Sequence, residues 1–590
     1  MSASPSESAA RGLPWRRRAG LLILAAAALQ ALLLVQGFRD NPFVRFPLKD
    51  ARATWEEAGR LAAGEGGGTP FLGPPLHLLF TAGVRALGGG LEALAAAQAL
   101  LHLGTLALLL ATARRRFGPG PALLAGLFYA LTLDPGFAPS RVLSMSLAAF
   151  TTVLLWNRWT APASGLRAHA GTGAALGAAA LAWPPWLLLV PVALLRAGRG
   201  AGGRAALAAA AALAAVLAPV TLHNLRATGE PILVSAQAGI TLMHGNGPGA
   251  KGVYTPVAGV SPDRRFQNQD ALRVAREQGG AEGWSAASRW WAGQALRTRL
   301  EDPAGTLRLE AAKLWWFLSA RHYGDIYRPT DERGEAFGWS LRLLPLPVPW
   351  LLLPALAFLL LGRRRTGAEA LLLAVPLITV LVFFYSPRYR LPAVPLAAVL
   401  AAAAAVRLAS RHSRPGERVL LGGAFLLALA SGPLNAWAGH PDADRSGVRP
   451  AFLADLAEAW RGLGNLEAAE AAVDEALALA PGDPRLLLPK ADLASRAGRH
   501  DEALAAAEEA ARRAPGLLEA VRGLAVVRAR RALEAFEAWS QGEAAARDTF
   551  LEEARAAEEA WRRALRLRPG DPETLEGLRN LERLLSAAGG

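Results

Sequence analysis

Residues 170–195 read AGTGAALGAAALAWPPWLLLVPVALL, an uncharged stretch broken at its centre by Trp183-Pro184-Pro185-Trp186. Its length suits one membrane crossing, which takes about 20 apolar residues. Its flanks do not, because Arg158 and Arg167 precede it and Arg196, Arg199 and Arg204 follow it. Arginines beside apolar segments stay on the cytoplasmic side. A single pass would put one flank, and later Arg363 to Arg365, on the wrong side. Two consecutive prolines break a helix. The stretch therefore predicts a short helical hairpin that enters and returns, partly re-entrant or extended by its flanks.

Working outward, other apolar runs lie at 20–38, 93–113, 118–133, 142–156, 205–222, 343–361, 370–386, 391–406 and 419–438. Together they predict a mainly α, polytopic helical membrane protein of about ten or eleven membrane segments. With the hairpin in place, Arg16 to Arg18, Arg114 to Arg116 and Arg363 to Arg365 all fall inside. A cytoplasmic tail (1–19) then leads into a membrane domain (20–438). The outer side receives loop 39–92, segment 223–342, a linker at 439–450 and the C-terminal region 451–590.

Net charge is +15 over 590 residues. Much of the basic charge sits in the arginine clusters rather than in a basic helix interleaved with aromatics, so nucleic acid is not the expected partner. The chain has no cysteine, which excludes disulfides, thiolate metal sites and cysteine nucleophiles. The nine histidines are scattered, and no protein-only metal site is readable. His102, inside a span, reads as a packing residue. Gly247-Pro248-Gly249-Ala250-Lys251-Gly252 matches G-x-G-x-x-G, but Val253-Tyr254-Thr255-Pro256 follows instead of a helix, so the match is rejected.

Residues 451–590 are rich in Ala, Glu, Arg and Leu and helical in period. Gly464 and Gly498 are 34 residues apart, as are Pro481 and Pro515. That period resembles tetratricopeptide repeats, an α-solenoid that binds a protein partner or packs on its own chain. The alternative is a plain stack of amphipathic helices. A third unit, ending at Pro569, carries about 20 extra residues. In 223–342, Pro231-Ile232-Leu233-Val234-Ser235 reads as a strand and 263–318 as mostly helical. The pairs Trp290-Trp291 and Trp315-Trp316 read as interface anchors.

Span centres are nearly free of charge, which argues against ion-coupled transport. The acids sit at outer span ends: Asp50, Asp134 and Asp40. Transfer of a sugar from a lipid phosphate needs a base for the acceptor proton, cations for the leaving phosphate and a place in the bilayer for the lipid. Carboxylates suit the first role, and arginine forks the second. Candidates are Asp50, with Asp134 as a second acid, and Arg388 and Arg390 for the phosphate. Trp55, His77 and Tyr389 are further site candidates, as are Arg321, His322 and Tyr323. Each has a plainer reading: Asp50 as the N-cap of a helix starting at Ala51, Asp134-Pro135 as a turn, and the arginines as snorkelling surface charges.

Asn41-Pro42-Phe43 through Asp50, Trp55-Glu56-Glu57 and Pro74-Pro75-Leu76 resemble the first outer loop of GT-C glycosyltransferases, nearest to glycosyltransferase family 39. This group holds the protein-mannosyltransferase-like and aminoarabinose-transferase-like enzymes. Thr228-Gly229-Glu230, Gly239-Ile240 and Gly245-Asn246 resemble the outer segment of bacterial members, and Arg388-Tyr389-Arg390-Leu391-Pro392 their late R-Y-R-x-P motif. The resemblance spans roughly 20–440. It implies a polyprenyl-phosphate sugar donor, a glycan, lipid or protein acceptor, and inverting displacement at the outer face of a bacterial cytoplasmic membrane. Asp50 would be the catalytic acid/base residue and Arg388 and Arg390 the phosphate contacts. No cofactor is required, although a divalent metal is compatible. The sequence departs from the family pattern at Thr54, at Arg141 to Ser146, where many members carry an acid, and at Trp183-Pro184-Pro185. Two alternatives stay open: a catalytically degenerate membrane-anchored repeat scaffold, and a polysaccharide polymerase or ligase using a diphosphate-linked donor.

Overall fold

The computed structural model describes residues 13–162, 165–319, 326–362, 366–437 and 445–589. Arg321, His322, Tyr323 and Arg363 to Arg365 lie outside them. The chain divides into two compact units, Met1–His440 and Pro441–Gly590. The first is a polytopic α-helical membrane bundle and the second a series of helical hairpins. Among the described residues there is no strand, only an isolated bridge between Thr132 and Leu346.

Each apolar run falls on a helix. Four helices are long and apolar enough to cross a membrane: Trp15–Asp40, Leu91–Phe117, Gly203–Thr228 and Pro387–Ala409. Pro119–Leu131, Pro349–Leu360 and Gly367–Val382 are apolar but shorter. Leu24, Val35, Leu100, Leu207, Val419 and Leu426 are exposed on the bundle's outside. Apolar surface on that scale is stable only where lipid replaces water. Val394 to Ala404, by contrast, are all buried. Their alanines let neighbouring helices close around this central element.

The hairpin forms at Trp183-Pro184-Pro185. Helix Gly165–Ala182 ends there, a 3-10 turn covers Pro184–Leu189, and Val190–Ala201 runs back. A Cβ on Gly173 would strike Ala209, and one on Gly177 would strike Val216 and Leu213. Helix Gly203–Thr228 therefore runs parallel to Gly165–Ala182, which requires a full return between them. Flanking residues lengthen both arms beyond the apolar run.

Arginines gather at one end of the bundle. Arg114 lies over the Trp15 ring, Arg196 over Trp159, and Arg115 donates to the Asn157 carbonyl. Arg116 makes two hydrogen bonds, of 2.9 and 3.0 Å, to the fully buried Glu369, which also accepts from the Trp156 indole. This end holds the start of Trp15–Asp40 and the finish of Leu91–Phe117. The opposite end holds Asp40, Leu91 and everything described below as the site.

Two expectations for 223–342 need correction. Residues 231–235 are not a strand: the buried Asn224 amide donates to the Ile232 and Val234 carbonyls, doing the work of a neighbouring strand. One tryptophan of each pair is core rather than anchor. Trp291 is buried with its indole N–H on the Ala271 carbonyl, and Trp316 is buried against Tyr385. Residues 263–318 form three helices: Arg264–Gly279, Trp284–Glu301 and Pro303–Leu318.

In the second unit, Arg445–Gly462 pairs with Leu466–Leu479, Pro484–Arg496 with His500–Arg513, and Leu518–Ser540 with Ala546–Leu567. Gly464, Gly498 and Gly542 turn each pair at positive φ. The extra residues of the third pair lengthen both helices, to 23 and 22 residues against 13 and 14 in the second. Small contacts such as Ala494, Ala503 and Ala507 let the helices pack closely.

Candidate functional site

Asp50 sits in the first turn of helix Lys49–Ala62. It is not the N-cap. That place belongs to the buried Leu48, whose carbonyl accepts from Ala51 and Arg52 N–H. Lys49 has φ +51, the sole positive value at a non-glycine residue among the described residues. Such backbone costs about 1–3 kcal/mol and persists where its surroundings hold it. Its effect is to turn the chain sharply just before Asp50.

Arg388 follows closely on the end of helix Gly367–Val382. Helix Gly367–Val382 ends, Ser386 caps the short helix Pro387–Arg390 through its hydroxyl, and Pro387 takes the first helical position. Arg388 Nη1 donates to Asp50 Oδ2 at 3.2 Å. Both side chains remain partly open, 26% for Arg388 and 30% for Asp50. An acid and a guanidinium thus meet at a solvent-accessible point on the end of the bundle opposite the arginine clusters.

Arg390 is not part of that pair. It is buried and donates to the Phe317 and Ser319 carbonyls, at the end of helix Pro303–Leu318. Residues two apart on a helix point about 200° from each other, so when Arg388 faces Asp50, Arg390 faces the core. Its expected role as a phosphate contact gives way to holding a helix end. Tyr389, between them, packs its ring on Phe384. His77 is buried in helix Pro75–Ala86, where desolvation and the nearby Arg264 push its imidazole down to about 3. Its side chain is packed away from solvent. Trp55 lies under the Arg85 guanidinium at 4.4 Å, and its carbonyl accepts from Arg85. Asp134 is buried in the short helix Leu133–Phe137 rather than in an open turn. Asp40 pairs with its exposed neighbour Arg39. Thr54 accepts from Arg264 at 3.0 Å, tying the Asp50 helix to helix Arg264–Gly279.

A second set of groups at this end was not anticipated. Buried Arg141 and Glu332 form an ion pair, and Asn41 donates to the same carboxylate oxygen at 2.8 Å. Phe137 and Tyr327 rings lie 4.5 and 4.8 Å from the Arg141 guanidinium. Burial pushes Glu332 above the usual carboxylate range, with Arg141 and Asn41 opposing it. Burial likewise raises the Tyr327 phenol, with Arg141 and the Leu48 backbone opposing it. These contacts fasten three distant pieces of chain together: the loop after the first helix, the turn at 138–144 and the segment 326–344. A small, partly open cleft lies beside them, lined in part by Phe38, Phe43, Leu94, Gln98, Arg141 and Tyr327.

The segment motifs also acquire physical reasons. Gly229 ends its helix at φ +74, and the Glu230 carboxylate accepts from Trp284 and Ser285 N–H at 2.7 Å, capping helix Trp284–Glu301. A Cβ on Gly239 would overlap the Ser288 carbonyl, and one on Gly245 the Phe383 carbonyl. Among the described residues, no three His, Asp or Glu side chains converge as metal ligands would.

No protein-family model and no curated protein matches the chain. Among solved structures it is similar to the archaeal oligosaccharyltransferase AglB from Archaeoglobus fulgidus, in complex with an inhibitory peptide and a dolichol-phosphate. That match has 14% identity and a TM-score of 0.34, covering 70% of this chain and 54% of the other. A second structure, the Archaeoglobus fulgidus oligosaccharyltransferase tethered to an acceptor peptide, matches at 15% identity and a TM-score of 0.31 over 70% and 53%. The chain spans about half the length of these proteins. At such identity, any chemistry has to be argued from this chain's own residues.

Proposed function

We propose that the chain is a membrane glycosyltransferase that moves a sugar from a polyprenyl-phosphate donor to a glycan, lipid or protein acceptor at the outer membrane face. The observation that carries this is the Asp50–Arg388 pair, partly open at the end of the bundle away from the arginine clusters. The arginine end is the cytoplasmic one by the positive-inside rule, which puts the pair outside. Asp50 takes the acceptor hydroxyl proton as that oxygen attacks the anomeric carbon. The bond from that carbon to the phosphate oxygen breaks with inversion. The phosphate leaves with an added negative charge, which Arg388 offsets. The lipid tail stays in the bilayer against the apolar outside of the bundle. The Arg141–Glu332–Asn41 cluster holds the loop that carries Asp50.

The test is transfer by purified chain in detergent from polyprenyl-phosphate and polyprenyl-diphosphate sugars. The expected result is use of the monophosphate donor and a product of inverted anomeric configuration. Use of the diphosphate donor alone, or retention, would contradict this reading.

A further inference from the structure

Arg388 can meet Asp50 only if the chain between helix Gly367–Val382 and residue 388 is held in place, and this stretch has no sheet partner and no continuous helix. The carbonyls at the helix end that leads into it are taken instead by two side chains from the 223–342 segment. Lys313 Nζ donates to the Leu381 carbonyl at 2.9 Å. The Asn246 amide donates to the Val382 and Phe383 carbonyls at 2.9 and 3.2 Å. These are carbonyls at the end of a helix, where unpaired acceptors and the negative end of the dipole favour donors and cations.

The two side chains hold each other. Lys313 places its three N–H groups on Leu381, on Asn246 Oδ1 at 2.8 Å and on Glu310 at 3.1 Å. Asn246 Oδ1 also accepts from Arg299 at 2.9 Å, and its amide donates to the Leu242 carbonyl at 2.8 Å. Two cations on the oxygen and three carbonyls on the nitrogen fix which way this amide points. Lys313 has a fully buried side chain. Gly245 lets the Phe383 carbonyl approach, and Tyr385 N–H donates to the Gly252 carbonyl at 2.8 Å. A satisfied buried network of this kind specifies one geometry.

We propose that Lys313 and Asn246 are the positioning residues of Arg388, holding the end of helix Gly367–Val382 so that the guanidinium reaches Asp50. This rests on the reading of Asp50 and Arg388 as the reacting pair, but its test does not need sugar transfer.

The chain has no cysteine, so an Asp50→Cys, Arg388→Cys pair can be crosslinked cleanly in the full-length membrane protein with a short bis-methanethiosulfonate reagent. Lys313→Met and Asn246→Leu are expected to lower the yield at least fivefold while a longer reagent still joins the pair, and Lys313→Arg to keep most of it. Unchanged short-reagent yield in Lys313→Met and Asn246→Leu would overturn the proposal. So would a loss seen only together with loss of the folded, monodisperse protein, because that marks general stability rather than positioning. Failure of the transferase reading shows separately, as absent turnover by the wild-type chain while the cysteine pair still crosslinks.

Discussion

Arg388 Nη1 lies 3.2 Å from Asp50 Oδ2 across 338 residues of sequence. Neither residue is buried, so the contact is worth little as a surface ion pair. It is nonetheless approached from both sides by strongly held chain: the positive-φ turn at Lys49 on one side and the Lys313–Asn246 network on the other. Structure invested around a weak pair points to what the pair does rather than to stability.

Arg388→Ala is expected to lower turnover with a polyprenyl-phosphate donor by roughly 10²–10³-fold, the usual loss when a charge-stabilising donor is removed. Arg388→Lys should recover part of that, since an ammonium keeps the charge and loses the fork. Steady-state kinetics on the two variants check this.

In an Arg388→Ala background, Lys313→Met should add almost nothing to the loss in turnover, although alone it is costly. Residues acting through one another are not additive. A full additional loss in the double variant would show that Lys313 acts elsewhere.

Alkaline pH separates positioning from stability. Burial, with Arg299 near, pushes Lys313 down to about 8 against the pull of Glu310. Above that pH the side chain gives up one N–H and its charge, so turnover should fall. Stability should move the other way. The folded chain binds fewer protons at this site than the unfolded one between pH 8 and the ordinary lysine value of 10.5, so this residue's contribution to stability rises across that range. Turnover and thermal unfolding measured at pH 7 to 10 check both signs, and Lys313→Arg should shift the turnover limb upward.

His77 contributes at the acid side. Its folded value of about 3 lies below the ordinary 6.5, so the unfolded chain takes up a proton first and stability falls as pH drops from 6.5 toward 3. His77→Gln should lose less stability over that window, with unfolding temperature as the readout.

Removing one partner of the buried Arg141–Glu332 pair should be severe. Glu332→Ala leaves a buried guanidinium unpaired and should cost about 3–5 kcal/mol. An apolar replacement of both partners should recover much of it. Thermal unfolding of detergent-solubilised protein distinguishes the two.

The sequence made some of this legible and hid the rest for definite reasons. The hairpin at Trp183-Pro184-Pro185 could be read because prolines and flanking arginines are local signals. Asp50 and Arg388 stood out as an acid and an arginine at outer span ends, away from the arginine clusters. Arg390 looked equivalent to Arg388, and only the short helix Pro387–Arg390 separates them by turning one inward. Lys313 gave no local signal, Asn246 entered only through the Gly245-Asn246 resemblance with no partner indicated, and Glu332 gave no signal either. Their partners lie 68, 136 and 191 residues away, and on a helix of mixed polarity a lysine reads as a solvated face. Pro231 to Ser235 misled because its composition suits a strand, while the group that satisfies its carbonyls is the side chain of Asn224.

The most direct test of the central claim is sugar transfer by purified wild-type protein beside Asp50→Asn, with both shown to be folded. The account predicts turnover with a polyprenyl-phosphate donor that falls by roughly 10²–10⁴-fold in the variant, as loss of a general base does. Equal turnover in the two proteins would contradict it.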